Sequence, residues 1–129
     1  MILPAADELL APVMAIDGFR LACLIDGSTG MVLASLENQD GLAPPNAPAT
    51  AAAGAADVIN VLTLLNGRLA TGENLEDVMV TFSDSFFMVR RLGLDREPQI
   101  LLLVIADRQR TNLAMAHRSI RDFCASFTS

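Results

Sequence analysis

One histidine and two cysteines are the side chains of this protein best suited to acid–base or nucleophilic chemistry. His117 lies at helical spacing from Leu113 and Ile120, and no nucleophile motif accompanies it. We therefore interpret it as a residue at the boundary of an apolar helix face rather than as a base. Cys23 and Cys124 lack metal-ligand spacing and are too few for a disulfide framework, which predicts buried thiols, a reactive thiol being the alternative.

Two further sequence patterns resemble ligand-binding sites, one for phosphate and one for a metal ion. Residues 27–30, Gly-Ser-Thr-Gly, join two apolar segments and lack the lysine and helix of a phosphate-binding loop, so they indicate a hairpin turn. Asp17, Asp26 and Asp107 lie at strand boundaries, where carboxylates usually accept hydrogen bonds from turn amides. A metal site would require the fold to bring these three acids together. The sequence therefore predicts neither a metal ion nor another cofactor.

The arginines form two basic groups in an otherwise acidic chain. Arg90 and Arg91 with Arg96 make the first group, and the second comprises residues 108 and 110 with 118 and 121. A solvated face is the simpler interpretation. Contact with an acidic protein partner is the functional one, and its candidate residues are Arg90, Arg91, Arg108 and Arg110.

Composition limits the class of protein. A chain of 129 residues with 52% apolar and 19% charged residues predicts a single folded domain over residues 1–129. The net charge of −6, with every cation an arginine, argues against nucleic-acid or anionic-membrane binding. The first ten residues carry acids where a secretory signal carries cations, and the apolar run at residues 100–106 is far below the ~20 residues that span a bilayer. These features predict a cytoplasmic protein without a membrane segment.

Apolar patterning predicts the elements that must position these side chains. The expected order is a short N-terminal helix, two strands, a long helix, three strands and a final helix capped by Thr111. The fold class is α+β, a three-layer sandwich with a five-stranded antiparallel sheet in the order α-β-β-α-β-β-β-α. The long helix should cover one sheet face and the two terminal helices the other. The predicted ranges of the strands and the long helix are 19–26, 31–36, 48–71, 76–82, 86–92 and 99–106.

The long helix at residues 48–71 is apolar on two neighbouring stripes. The first stripe is expected to lie on the sheet because its alternating spacings of four and three are those of a packed helix face, and it comprises Ala51, Ala55, Val58, Leu62, Leu65 and Leu69. The second consists mostly of small side chains that permit close helix approach, and it comprises Ala52, Ala56, Ile59, Thr63, Asn66 and Ala70. We predict that the second stripe packs against another copy of the chain, the alternative being another helix of the same chain.

Taken together, these patterns resemble the bacterial branch of the Roadblock (longin-like, dynein light-chain roadblock-type) family of small regulators of Ras-type GTPases. The matching pieces are the Ile-Asp-Gly turn at 16–18, the segment 24–35, the Ala-rich helix, the strand 103–107 and the Asn-Leu pair at 112–113. The resemblance covers nearly the whole chain. It implies a dimer in which the long helices pair antiparallel and the following strands, residues 76–82 here, join edge to edge.

The resemblance also implies a function. Val78 and Val80 join the expected dimer interface, the partner is a copy or paralogue of the chain together with a Ras-like small GTPase, and some similar actinobacterial proteins are associated with a sensor kinase. The function expected is that of a non-catalytic homodimeric adaptor or scaffold in bacterial signalling. A small-molecule-sensing α/β domain is the alternative, weakened by the scarcity of aromatic residues. An enzyme is disfavoured for want of a nucleophile, base and orienting group.

Overall fold

The computed structural model describes residues 6–38, 47–70, 72–92 and 99–127. It contains the predicted elements in the predicted order, with a 3₁₀ helix following the first α-helix. The predicted loop at 93–98 and most of that at 37–48 lie outside the described residues. The elements are α1 (Ala6–Leu10), the 3₁₀ helix (Ala11–Ala15), β1 (Phe19–Asp26), β2 (Val32–Glu37), α2 (Ala47–Leu69), β3 (Asp77–Thr81), β4 (Ser85–Leu92), β5 (Ile100–Asp107) and α3 (Leu113–Phe127).

The five strands form one antiparallel sheet in the order β2-β1-β5-β4-β3. The two strands with continuous apolar sequence, β1 and β5, occupy interior positions, as predicted from their lack of polar alternation. The shorter strands β2 and β3 are the edges. An edge strand leaves half of its backbone hydrogen-bonding groups without a partner strand.

Alternating side chains of the sheet build a core on each face. Leu102 and Val104 point to the face covered by α1, the 3₁₀ helix and α3, where Leu10 and Phe123 complete the core. The side chains between them, at 101 and 103, point to the face covered by α2. The predicted three-layer arrangement, with the long helix alone on one face, is confirmed.

The start of α3 differs from the prediction. Thr111 does not cap the helix, because its hydroxyl lies within hydrogen-bonding distance of the Asp17 and Asp107 carbonyl oxygens, at 2.9 and 2.5 Å. The Asn112 side chain accepts a hydrogen bond from the Met115 amide instead, at 3.2 Å, and is the N-cap. Thr111 therefore ties the end of β5 to the turn before β1.

The faces of α2 are the main correction to the sequence interpretation. Ala52, Ala56 and Ile59, predicted to meet a second copy, are buried against this chain's own sheet at 0, 4 and 1% exposure. Of the stripe predicted to lie on the sheet, Ala55 is buried there, but Val58, Leu65 and Leu69 are exposed. The two stripes exist as predicted, but the second one supplies most of the contact with the sheet.

Side-chain size explains which α2 stripe packs on the sheet. Alanines at the N-terminal half of α2 let the helix backbone approach the sheet, and they are followed by Ile59, the last buried residue of the helix. α2 packs chiefly over β1, β2 and β5. The half of α2 after Ile59 contributes no buried residue, so its larger apolar side chains remain available on the surface.

Candidate functional site

The exposed apolar side chains of α2 form a stripe beside the sheet face of the helix. We name Val58, Leu62, Leu65 and Leu69 the α2 stripe. Leu65 and Leu69 are 50 and 64% exposed, Val58 is 39% exposed and Leu62 is half-buried. Because leucine and valine contribute about 1.5–3 kcal/mol each when fully buried, covering this stripe with another apolar surface would be favourable.

The sheet beside α2 is also incompletely covered. Val78 and Val80 of β3 and Phe87 of β4 point to the α2 side and are half-buried, while Phe82 is 49% exposed. The Phe82 and Phe87 rings contact each other, with centroids 4.8 Å apart. We name Val78, Val80, Phe82 and Phe87 the sheet floor. Both the α2 stripe and the sheet floor leave apolar side chains partly exposed on the α2 side of the sheet.

A second apolar ridge lies on the side of α2 that faces away from the sheet. Val61 and Leu64, which we name the crest, are 64 and 59% exposed. Asp57 and Arg68 are exposed on the same side of the helix, one near each end of the crest. The sequence interpretation missed the crest because these two residues belong to neither predicted stripe. The sequence signal that could have found the crest was the position of both residues on the outer side of the helix wheel, since a globular helix rarely carries apolar residues there.

The remaining α2 residues of the predicted interface, at positions 63, 66 and 70, follow Ile59 in the chain. Thr63 and Ala70 are exposed, and Asn66 is half-buried. Thr63 donates a hydrogen bond to the Ile59 carbonyl oxygen at 2.7 Å, and Asn66 donates one to the Glu73 carbonyl oxygen at 2.5 Å. The second of these bonds joins the end of α2 to the segment that leads into β3.

Most of the candidate partner-binding arginines have contacts within the chain. Arg90 donates to the Asp77 carboxylate at 2.6 Å, and Arg91 donates to the Leu75 carbonyl oxygen at 3.3 Å. Arg108 donates to the Phe82 carbonyl oxygen at 3.2 Å and is exposed, as is Arg110. Arg90 and Arg91 of the first predicted group are half-buried, whereas Arg96 lies outside the described residues. Partner binding by these arginines remains a prediction.

His117 contacts an acid rather than a nucleophile. Its Nε2 lies 2.9 Å from Asp77 Oδ2, the same oxygen that accepts from Arg90. His117 is half-buried in α3, at the edge of the apolar face as predicted. This polar cluster connects α3 to β3 and β4.

Two of the three boundary acids are held in separate turns, Asp26 by residues 28 and 29 and Asp107 by Gln109, and Asp107 also pairs with Arg20. The pKa of Asp26 is lowered by the Ser28 hydroxyl and amide that donate to its carboxylate, and that of Asp107 by the Gln109 amide and by Arg20. Turn-amide binding is thus confirmed for Asp26 and Asp107. Within the described ranges, no three His, Cys, Asp or Glu side chains are arranged to hold a metal ion.

Both cysteines are buried as free thiols, as predicted. Burial raises the pKa of Cys23 and of Cys124 from 9.0 to about 11. A thiol must ionise to act as a nucleophile, so both are unreactive near neutral pH in the folded protein.

These thiols predict a loss of stability in alkaline solution. Because the folded-state pKa exceeds the unfolded value, their contribution is complete below about pH 9 and is lost as the pH rises toward 11. The chain has neither tyrosine nor lysine, so no other side-chain type ordinarily titrates in this interval. We expect the urea midpoint of unfolding to fall between pH 9 and pH 11.

The control is a variant in which Cys23 and Cys124 are both alanine. Its midpoint should be lower at pH 9 because of lost packing, but it should change less over the same interval. Equal pH dependence in the two proteins would contradict the assignment. Alkylation at about pH 8 should likewise be slow until urea is added.

A shallow cleft lies on the opposite side of the sheet from α2. It has a volume of about 70 Å³ between the 3₁₀ helix and α3, and its lining includes Ile16, Asp17, Asn112, Met115 and Ser119. Small-molecule sites usually measure about 300 Å³ or more. This cleft therefore does not favour the small-molecule-sensing alternative.

By length and composition alone, α2 is apolar enough to cross a membrane. Its N-terminal half instead supplies core residues such as Ala52 and Ile59, packed against the sheet. Exposed positions along α2 carry Asp57, Asn60 and Arg68 between its apolar residues. That pattern is typical of a helix that packs against protein on more than one side.

Comparison with known proteins gives matches in structure but not in sequence. No family model matches the chain, and no curated protein matches it. A Roadblock/LC7 domain from Streptomyces avermitilis superposes with a TM-score of 0.78 at 18% identity, covering 95% of this chain and 94% of that one. The gliding protein MglB from Thermus thermophilus gives 0.77 at 22% identity, covering 96% and 89%.

A further structure, MglB in a tetrameric arrangement, has a TM-score of 0.79 at 22% identity and covers 98% of this chain and 90% of its own. Each of these similarities covers at least 95% of this chain. The chain therefore has the Roadblock/LC7 fold, as its sequence resemblance predicted.

Proposed function

We propose that this protein is a non-catalytic homodimeric adaptor that binds a Ras-like small GTPase and modulates its nucleotide cycle in a bacterial signalling system. The observation that carries the proposal is the open apolar surface made by the α2 stripe and the sheet floor. A surface of this kind is rarely left in water by a stable soluble protein. The GTPase partner follows from the Roadblock resemblance.

The spacing of the α2 stripe supports self-association. Its residues are separated by four, three and four positions, a pattern that reads the same in both directions. An antiparallel copy therefore brings Val58 opposite Leu69, and Leu62 opposite Leu65. A second copy fits this stripe without any change of sequence, as a two-fold interface requires.

The crest supplies the contact for a third protein. In the antiparallel pair, Val61 and Leu64 of both copies lie around the two-fold axis and stay exposed, because they point away from the sheets. Asp57 and Arg68 border this apolar centre. Apolar residues at the centre with charged residues at the rim are the usual composition of a protein-binding surface.

The comparisons support a regulatory role without specifying it. One similar structure is a gliding protein, and another is a tetrameric arrangement of MglB, which supports self-association of this chain. The proposal also places the protein in the cytoplasm of an actinobacterium, in a system that includes a sensor kinase. A paralogue in place of the second copy is the alternative partner.

The decisive experiment is a binding assay with a Ras-like GTPase encoded beside this gene. The GTPase, loaded with GDP or with a non-hydrolysable GTP analogue, is titrated with the adaptor, and nucleotide release and hydrolysis are then measured. We expect binding to one loaded form at least about tenfold tighter than to the other. Absence of binding to both forms would contradict the GTPase assignment, while light scattering tests the dimer independently.

A further inference from the structure

β2 is the edge strand at the end of the sheet away from β3, and among the described residues no strand pairs with its outer side. The Asn38 amide donates to the Arg20 carbonyl oxygen at 2.8 Å, and the ladder is regular from the pair 21–37 to the pair 24–34. Hydrogen-bonded and non-bonded pairs alternate in an antiparallel ladder, so the even-numbered residues of this segment bond to β1. The N–H and C=O groups of Ser35 and Glu37 therefore point to the open edge.

The N-terminal end of β2 adds exposed apolar side chains to this edge. Met31 and Leu33 are 66 and 57% exposed. The register shifts between the pairs 24–34 and 25–32, which leaves Leu33 as an extra residue in a bulge. A bulge changes the direction of the side chain it carries, and Leu33 belongs to neither core. The edge therefore offers both backbone groups and apolar side chains to an added strand.

β2 lacks most of the features that usually prevent an edge strand from pairing. Such strands commonly carry lysine, proline or an inward-pointing charge. β2 contains neither lysine nor proline, and its one charged residue, Glu37, is its last. The segment 34–37 beyond the bulge keeps regular pairing with β1 and extends over about 13 Å. That length is sufficient for a short added strand.

Both ends of this edge are acidic. Glu37 is exposed, and the Asp26 amide donates to the Met31 carbonyl oxygen at 2.9 Å, which places Asp26 beside the start of β2. The Ser28 hydroxyl and amide donate to the Asp26 carboxylate and lower its pKa, so it is ionised near neutral pH. Residues 21–38 contain no cation. A second copy would bring further acids to this edge, whereas a basic segment complements them.

We propose that β2 accepts an extended basic segment of a partner protein as an added strand, hydrogen-bonded to Ser35 and Glu37, with an apolar side chain beside Leu33. In strand addition the main-chain bonds supply affinity, and the neighbouring side chains supply specificity. The site lies at the opposite edge of the sheet from β3, so it can be occupied while a second copy and a GTPase are bound. It gives the adaptor a surface for recruiting a further protein.

The probe for this site is a fluorescein-labelled peptide, Arg-Val-Thr-Val-Thr-Val-Arg, titrated with the full chain and followed by fluorescence anisotropy. Its alternation of β-branched residues favours an extended strand. We expect saturable binding. The same peptide with N-methyl groups on its valine and threonine amides should bind at least about tenfold more weakly, because it keeps the side chains but loses the donors. Replacing both arginines with glutamate should cause a loss of similar size.

Two variants test whether the peptide binds at β2. Ser35→Pro removes an outward N–H but no bond of the β1–β2 ladder, and proline is tolerated at such a position of an edge strand. Leu33→Lys places a cation beside the added strand. Each should weaken binding of the arginine peptide at least about tenfold. The matched control Met115→Lys adds the same charge on α3, where Met115 is 67% exposed, and should bind the peptide as the wild type does.

Each outcome decides one part of the proposal. Absence of saturable binding, or equal binding of the N-methylated peptide, would overturn strand addition. Unchanged binding by Ser35→Pro and Leu33→Lys would place the peptide elsewhere, and stronger binding of the glutamate peptide would overturn the basic partner. Melting temperatures show whether Ser35→Pro folds, and Leu33→Lys decides the location if it does not. Light scattering measures the homodimer separately, so failure here leaves the proposed function intact.

Discussion

Leu65→Glu is expected to convert the protein from a dimer to a monomer at micromolar concentration. Leu65 is half-exposed in one chain, and in the antiparallel pair it lies opposite Leu62 of the second copy. The substitution removes apolar contact and requires a carboxylate to be buried without a partner, which together raise the dissociation constant by about a hundredfold or more. Analytical ultracentrifugation over a concentration series measures this change.

The matched control for Leu65→Glu is Met115→Glu. Met115 is 67% exposed on α3, on the other side of the sheet, so it introduces the same charge away from the proposed interface. We expect this variant to remain a dimer with unchanged stability. A dimer in both variants would show that the α2 stripe is not the interface.

Leu64→Glu is expected to leave the dimer intact and to weaken GTPase binding by at least about tenfold. Leu64 lies on the crest, which faces away from the sheet and remains exposed after the stripes pair. Two copies contribute it to the same central patch, so one substitution changes the patch twice. Titration of the labelled GTPase with the variant measures the loss, and ultracentrifugation confirms that the dimer persists.

The result for Leu64→Glu is compared with the results for Met115→Glu and Leu65→Glu. Met115→Glu should bind the GTPase as the wild type does, and Leu65→Glu should lose binding because the patch requires two copies. Full binding by Leu64→Glu would place the partner elsewhere on the surface. Loss of the dimer in Leu64→Glu would instead assign the crest to self-association.

Much of the architecture follows from local pattern. Continuous apolar runs predict β1 and β5 as interior strands, and both lie there because a strand covered on two faces cannot carry polar alternation. The charge-poor segment of α2 predicts a long helix, and its length is correct to within two residues at its C-terminal end. These features depend on neighbours in sequence, so they can be derived without the tertiary structure.

The orientation of α2 could not be derived in the same way. A helix wheel shows that Ala52 and Val58 lie on different stripes, but it contains no reference outside the helix. Which stripe meets the sheet depends on how closely the backbone can approach it, and here the alanines permit the closer contact. The predicted interface was therefore placed on residues that are buried in the core, while Val58, Leu65 and Leu69 remain exposed.

By itself, the sequence determined the order of the elements, the protection of the two cysteines and the presence of more apolar surface on α2 than one sheet can cover. Only the tertiary structure decided which α2 face is buried, that Asp77 meets His117 forty residues away, and which backbone groups of β2 face the open edge. The physical reason is the range of the interactions: periodicity and apolar runs are local, whereas packing distance, side-chain contact and strand register arise only when distant segments meet.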